Sequence, residues 1–130
     1  RGRARGGIAA IAMAGLLASA GAARADEAAV ARLLWECRAM ASVLMSSVTD
    51  AKTVVGELML METDARARER LALHDKLQQS LVRSEMAASA LVRLLCPNRS
   101  IIHEFDGDLR RAWAVMAANR QSVLKAMPGP

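Results

Sequence analysis

Small and apolar residues recur along the first half of the chain at alternating steps of four and three: Val30, Leu34, Cys37, Ala41, Leu44, Val48, Ala51, Val55 and Leu58. Such steps hold one seam on an α-helix. A second series, Leu73, Leu77, Leu81, Ser84, Ala88, Leu91 and Leu95, falls within about 80° of helical arc. A third, Ile102, Phe105, Leu109, Trp113, Met116, Val123 and Met127, also occupies one narrow face. Breaks separate the three. The first seam fades at Glu62-Thr63-Asp64, where Thr63 or Asp64 can cap a new helix. Cys96-Pro97-Asn98-Arg99-Ser100 interrupts the second, because proline lacks the amide donor and disfavours α geometry in the residue before it.

The pattern predicts an all-α fold: a long antiparallel helical hairpin plus a third helix, packed as a three-helix up-down-up bundle. Between Glu27 and Leu95 there is no proline and a single glycine, Gly56. Strand signals, alternating β-branched runs and Asn-Gly turns, are missing. Asp26 is the expected N-cap of the first helix and Ser100 that of the third. Four shorter helices are the competing arrangement, with a turn at Ser46-Ser47-Val48-Thr49-Asp50. The seam crosses that stretch without a phase shift, which favours one helix and a first turn near residue 64. Arg66, Arg68 and Arg70 sit against the helix dipole at the expected start of the second helix.

The N-terminal segment changes the picture of the domain. Arg1, Arg3 and Arg5 precede a stretch from Gly6 to Ala23 without charge, whose apolar part runs from Ile8 to Leu17. Small residues follow, ending in Ala23-Arg24-Ala25. This is the layout of a secretory signal peptide, with cleavage expected after Ala25. The stretch is short and rich in Ala and Gly, whereas a spanning helix needs about 20 strongly apolar residues. The expected organisation is therefore a cleaved signal over residues 1–25 and a single helical-bundle domain over residues 26–130, exported to a bacterial periplasm, with no stable membrane insertion after cleavage.

Charge follows from that division. The chain carries 18 Lys and Arg against 13 Asp and Glu. Four of the arginines (Arg1, Arg3, Arg5 and Arg24) lie in the signal, leaving 14 basic against 13 acidic residues. A nearly neutral domain whose aromatics are Trp35, Phe105 and Trp113 offers neither the basic surface nor the stacking platforms of a nucleic-acid binder.

In an oxidising compartment, Cys37 and Cys96 are expected to pair. Their midpoint in the sequence is 66.5, close to the turn inferred from the seams. An antiparallel hairpin with that turn brings them level. No Cys-x-x-Cys redox pair, Cys-x-x-Cys-His haem motif or four-ligand zinc pattern is present.

Candidate chemistry is sparse. His74 stands at the edge of the second apolar stripe. His103 lies near Glu104, Asp106 and Asp108, and shares a helix face with Asp106. Met40, Met45, Met59, Met61, Met86, Met116 and Met127 are soft potential metal ligands, but their helical phases scatter and core filling is the expected role. Arg120 falls inside the third apolar stripe, where its stem is expected to lie on the core with its head reaching solvent or an acid. No nucleophile motif surrounds Ser46, Ser47 or Ser80, and no phosphate loop occurs. Leu58-Met59-Leu60-Met61 is apolar around a full turn, so part of it must face outward, and such surface marks interaction sites. The expected function is non-enzymatic and without a cofactor: a disulfide-stapled, exported helical protein acting by protein contacts, as a homodimer or with another periplasmic protein. The alternative is a small periplasmic metal-binding protein using His, carboxylate or Met ligands.

Overall fold

A computed structural model describes the backbone of residues 2–61 and 67–127, and the side chains in those ranges from residue 21 onward. It contains three helices: α1 (Gly2–Leu60), α2 (Ala67–Arg93) and α3 (Ile101–Ala126). The described residues include no strand. By internal contacts the chain forms two units, Arg1–Glu36 and Cys37–Pro130.

The first unit is helical, and its helix-forming, Ala-rich sequence continues through Asp26. Asp26 is therefore an interior helical residue and not an N-cap. Val30 and Leu34, placed on the buried seam by their spacing, are exposed, as is Trp35. A unit built from one helix has no second apolar face of its own to bury them.

The second unit is the bundle. Each step up α1 is matched by a step down α2, with Cys37 beside Cys96, Ser47 beside Ser84 and Asp50 beside Arg83. The third helix runs parallel to α1, pairing Asp108 with Lys52 and Arg111 with Met59. The result is the up-down-up three-helix bundle. Its core joins Ala51, Val54, Val55 and Leu58 of α1, Leu73, Leu77 and Leu81 of α2, and Ala112 of α3, with Met61, Leu109, Val115 and Met116 packed against them.

The four-helix alternative is excluded, because α1 is continuous through residues 46–50. The hydroxyls of Ser46, Ser47 and Thr49 donate back to the carbonyls of Val43, Leu44 and Met45, at 3.2, 3.1 and 2.9 Å. Local hydroxyl bonds that favour a turn elsewhere are absorbed here by the preceding helical turn. The first connection falls between Leu60 and Ala67. The caps expected at Thr63 and Asp64, and Arg66, lie outside the described residues.

Burial departs from the predicted stripes in an ordered way. On α1 the seam is buried at Cys37, Leu44, Val48, Ala51, Val55 and Leu58, and Ser47 and Val54 join it. A helix that touches two others needs a wider stripe than a two-helix seam provides. On α2, Ser80 and Ala87 are buried, Ala88 is half-buried, and Leu95 is exposed. On α3 the buried residues are Ala112, Asn119 and Val123. Small or hydrogen-bonded residues face the core there, so Trp113 and Arg120 are turned to the exposed side and Met127 is exposed beyond the helix end.

The second helix ends in a Schellman motif. The amide of Cys96 donates to the Leu91 carbonyl and that of Leu95 to Val92, each at 3.0 Å, while Leu95 takes the left-handed conformation at φ 52°. Glycine is the usual residue at that position. The turn carries Cys96 into its bond with Cys37, where the Cα atoms are 5.6 Å apart. Asn98 Nδ2 donates to the Cys37 carbonyl at 3.3 Å, and Arg99 Nη1 donates to the Cys96 carbonyl at 3.0 Å. Ser100 precedes α3 without a side-chain capping bond. Its backbone is already helical, at φ −61° and ψ −19°, whereas a capping residue needs an extended backbone to aim its hydroxyl at the helix amides. Tight backbone turns serve in its place, with Ile101, Ile102 and His103 bonding to the carbonyls of Asn98, Arg99 and Ser100.

Candidate interaction surface

The apolar turn at the end of α1 is divided between core and solvent. Leu58 is 6% exposed and belongs to the core, and Met61 packs against it. Met59 is 60% exposed and Leu60 is 88% exposed. The helical repeat accounts for this, since residues three apart share a face and the two between them do not. The predicted four-residue surface therefore reduces to Met59 and Leu60. Arg111 Nη2 lies 3.3 Å from Met59 Sδ and can donate a weak hydrogen bond to it.

Methionine is distributed differently from expectation. Met61 and Met116 fill core edges and Met40 is half-buried, but Met45, Met59, Met86 and Met127 are exposed. Core filling therefore describes only a minority of them. Unbranched side chains that tolerate both environments carry no strong demand for burial.

Exposed Met86 and Val82 of α2 border a groove of about 530 Å³, whose other wall includes the half-buried Met40 and Val43 of α1. The predicted seams did not contain these residues. Their signal is apolar side chains lying one or two residues off each seam, which single-face reading assigns to solvent.

The remaining candidates are separate from one another. His103 Nδ1 lies 3.5 Å from Asp106 Oδ2, on the predicted shared face, and both side chains are largely exposed. Among the described residues, no three His, Cys, Asp or Glu side chains are grouped so as to hold a metal ion. His74 is half-buried on α2, and its Nδ1 is buried without a hydrogen-bond partner. Arg120 lines a second groove together with His74. Ser47 and Ser80 are buried, Ser47 being bonded to Ser84, while Ser46 is bonded to its own helix. No described helix is long and apolar enough to cross a membrane.

Comparison with protein-family models, with curated proteins and with solved structures finds no match. The protein is a small helical bundle closed by one disulfide, Cys37–Cys96.

Proposed function

We propose that this is an exported, non-enzymatic helical protein that acts through protein contacts, as a homodimer or with another periplasmic protein. The observation that carries the reading is the outward projection of Met59 and Leu60 from a turn whose other residues, Leu58 and Met61, are anchored in the core. A large apolar side chain left 88% exposed at a helix end gains free energy when a partner covers it. Export rests on the basic start, the uncharged stretch and Ala23-Arg24-Ala25. The disulfide fits an oxidising compartment.

Two measurements test this. Expression of the full chain in a bacterial host should release a periplasmic product whose N-terminus is Asp26. Light scattering on that product should give a mass above the monomer, or crosslinking in the periplasm should capture a partner. Leu60→Asp should abolish either association. A strict monomer at high concentration with no crosslinked partner would remove the reading.

A further inference from the structure

Arg120, whose head was expected to reach solvent or an acid, is exposed and lies on a groove between α2 and α3. Two helical turns of α3 present Trp113, Met116, Arg120 and Gln121 to one groove, and α2 supplies His74 and Gln78 from successive turns. These spacings place each set on one helix face. The groove encloses about 740 Å³, within the range of small-molecule sites.

Its chemistry is one-sided. The lining includes a guanidinium, an imidazole and two carboxamides but no Asp or Glu. Arg120 makes no ion pair or hydrogen bond among the described residues. The buried His74 Nδ1 is also without a hydrogen-bond partner. An unsatisfied buried nitrogen is costly. Trp113 and Met116 provide an apolar wall beside Arg120 and His74, and Trp113 stands about 10 Å along the helix from Arg120. A fixed positive charge at one end and an indole at the other match a ligand with one anionic head and a short apolar body.

We propose that the α2–α3 groove binds a small amphipathic carboxylate, with its head on Arg120 and its apolar chain against Trp113 and Met116. The site is independent of Met59 and Leu60, so its failure would leave the protein-contact reading untouched.

Trp113 makes the test direct. In the disulfide-bonded chain carrying Trp35→Phe it is the only tryptophan, and Trp35 is itself exposed. Titration with octanoate should change Trp113 fluorescence saturably. Octanol, which has the chain without the charge, and acetate, which has the charge without the chain, should each bind at least about tenfold more weakly. Arg120→Gln should weaken octanoate by about tenfold or more, as expected for a lost charge-assisted hydrogen bond. Arg110→Gln, at an exposed residue of α3 that bonds its own helix, should leave binding unchanged. A response that never saturates, equal affinity for octanol, or an Arg120→Gln protein that binds octanoate normally would each overturn the proposal.

Discussion

The hydroxyl oxygens of Ser47 and Ser84 lie 2.8 Å apart at the buried interface of α1 and α2. Both side chains are fully buried. Ser47 also reaches the Leu44 carbonyl at 3.1 Å, and Ser84 reaches the Ser80 carbonyl at 2.9 Å. Two hydroxyl protons thus serve three contacts. Each serine keeps a bond to its own helix if its partner is removed. Small side chains at this point also let the two helices approach closely. Ser47→Ala or Ser84→Ala should therefore cost only about 1 kcal/mol, whereas Ser84→Leu, which adds bulk to a filled interface, should cost about 2 kcal/mol or more. Urea unfolding of the oxidised proteins distinguishes the two outcomes. A cost for Ser84→Ala as large as that for Ser84→Leu would contradict the account.

Leu95 holds a backbone conformation that side chains with a Cβ resist, and its own side chain is 73% exposed. Leu95→Gly relieves that strain and loses little packing, while the added freedom of the unfolded chain takes back part of the gain. The net effect should be a stabilisation of about 0.5–1 kcal/mol. A higher denaturation midpoint with the disulfide intact is the expected observation. A lower one would mean that the leucine side chain makes contacts that offset the strain.

The disulfide spans a sequence separation of 59 residues. Closing a loop of this length stabilises the folded state by about 4 kcal/mol in the chain-entropy account. The Cys37→Ala, Cys96→Ala double variant should unfold at a clearly lower denaturant concentration. Its folded helix content should be retained, because the apolar cluster of Leu58, Leu73, Leu77 and Leu81 does not include the bridge. Circular dichroism during denaturant titration reads both quantities.

Leu58 and Leu60 are separated by one residue and should behave in opposite ways. Leu58→Ala removes a core side chain and should cost about 2–5 kcal/mol. Leu60→Ala should change stability by no more than about 0.5 kcal/mol. Thermal melts of the two variants give the comparison, and equal losses would show that Leu60 is covered in the isolated protein.

Arg70 and Asn119 tie the start of α2 to the later part of α3. Asn119 Nδ2 donates to the Arg70 carbonyl at 2.9 Å, and Arg70 Nη1 donates to Asn119 Oδ1 at 3.3 Å. Asn119 is buried. Asn119→Leu removes both bonds, while the Arg70 carbonyl keeps the helical amide one turn on, at a cost of about 1–3 kcal/mol for the two. A double-mutant cycle with Arg70→Ala should show coupling between the two positions. Strict additivity would mean that the side-chain bond contributes nothing.

Much of this structure was legible in the residue pattern. The steps of the apolar seams favoured three helices, Pro97 marked the second connection, and the fading of the first seam at Glu62-Thr63-Asp64 placed the first one, with the cysteine midpoint at 66.5 in agreement. The seams were less informative about which flank of each helix is covered. Ser47, Ser80 and Asn119 are polar residues that are buried, and each is hydrogen-bonded or packed by a residue far away in sequence or one turn along its own helix. Periodicity counts apolar residues and does not register such partners. The site around Arg120 was hidden for the same reason. Arg120 stands out as a charge within an apolar stripe, but the imidazole of His74 and the carboxamide of Gln78 that share its groove belong to another helix.

The sequence alone determined the helical class, the order of the bundle helices and the pairing of Cys37 with Cys96, and it favoured three helices over four. These depend on local period, on proline's missing amide, and on the symmetry of two positions about a turn. The tertiary structure decided which residues are inside. Burial depends on the neighbour that a face meets, so Val30, Leu34 and Met86 stay exposed while Ser47 and Asn119 are enclosed. It also decided the rotation of α3, which buries Ala112 and Asn119 and turns Trp113 and Arg120 toward a groove shared with α2. That rotation follows from side-chain volume and from the bonds between Arg70 and Asn119, neither of which can be read from the spacing of apolar residues along one helix.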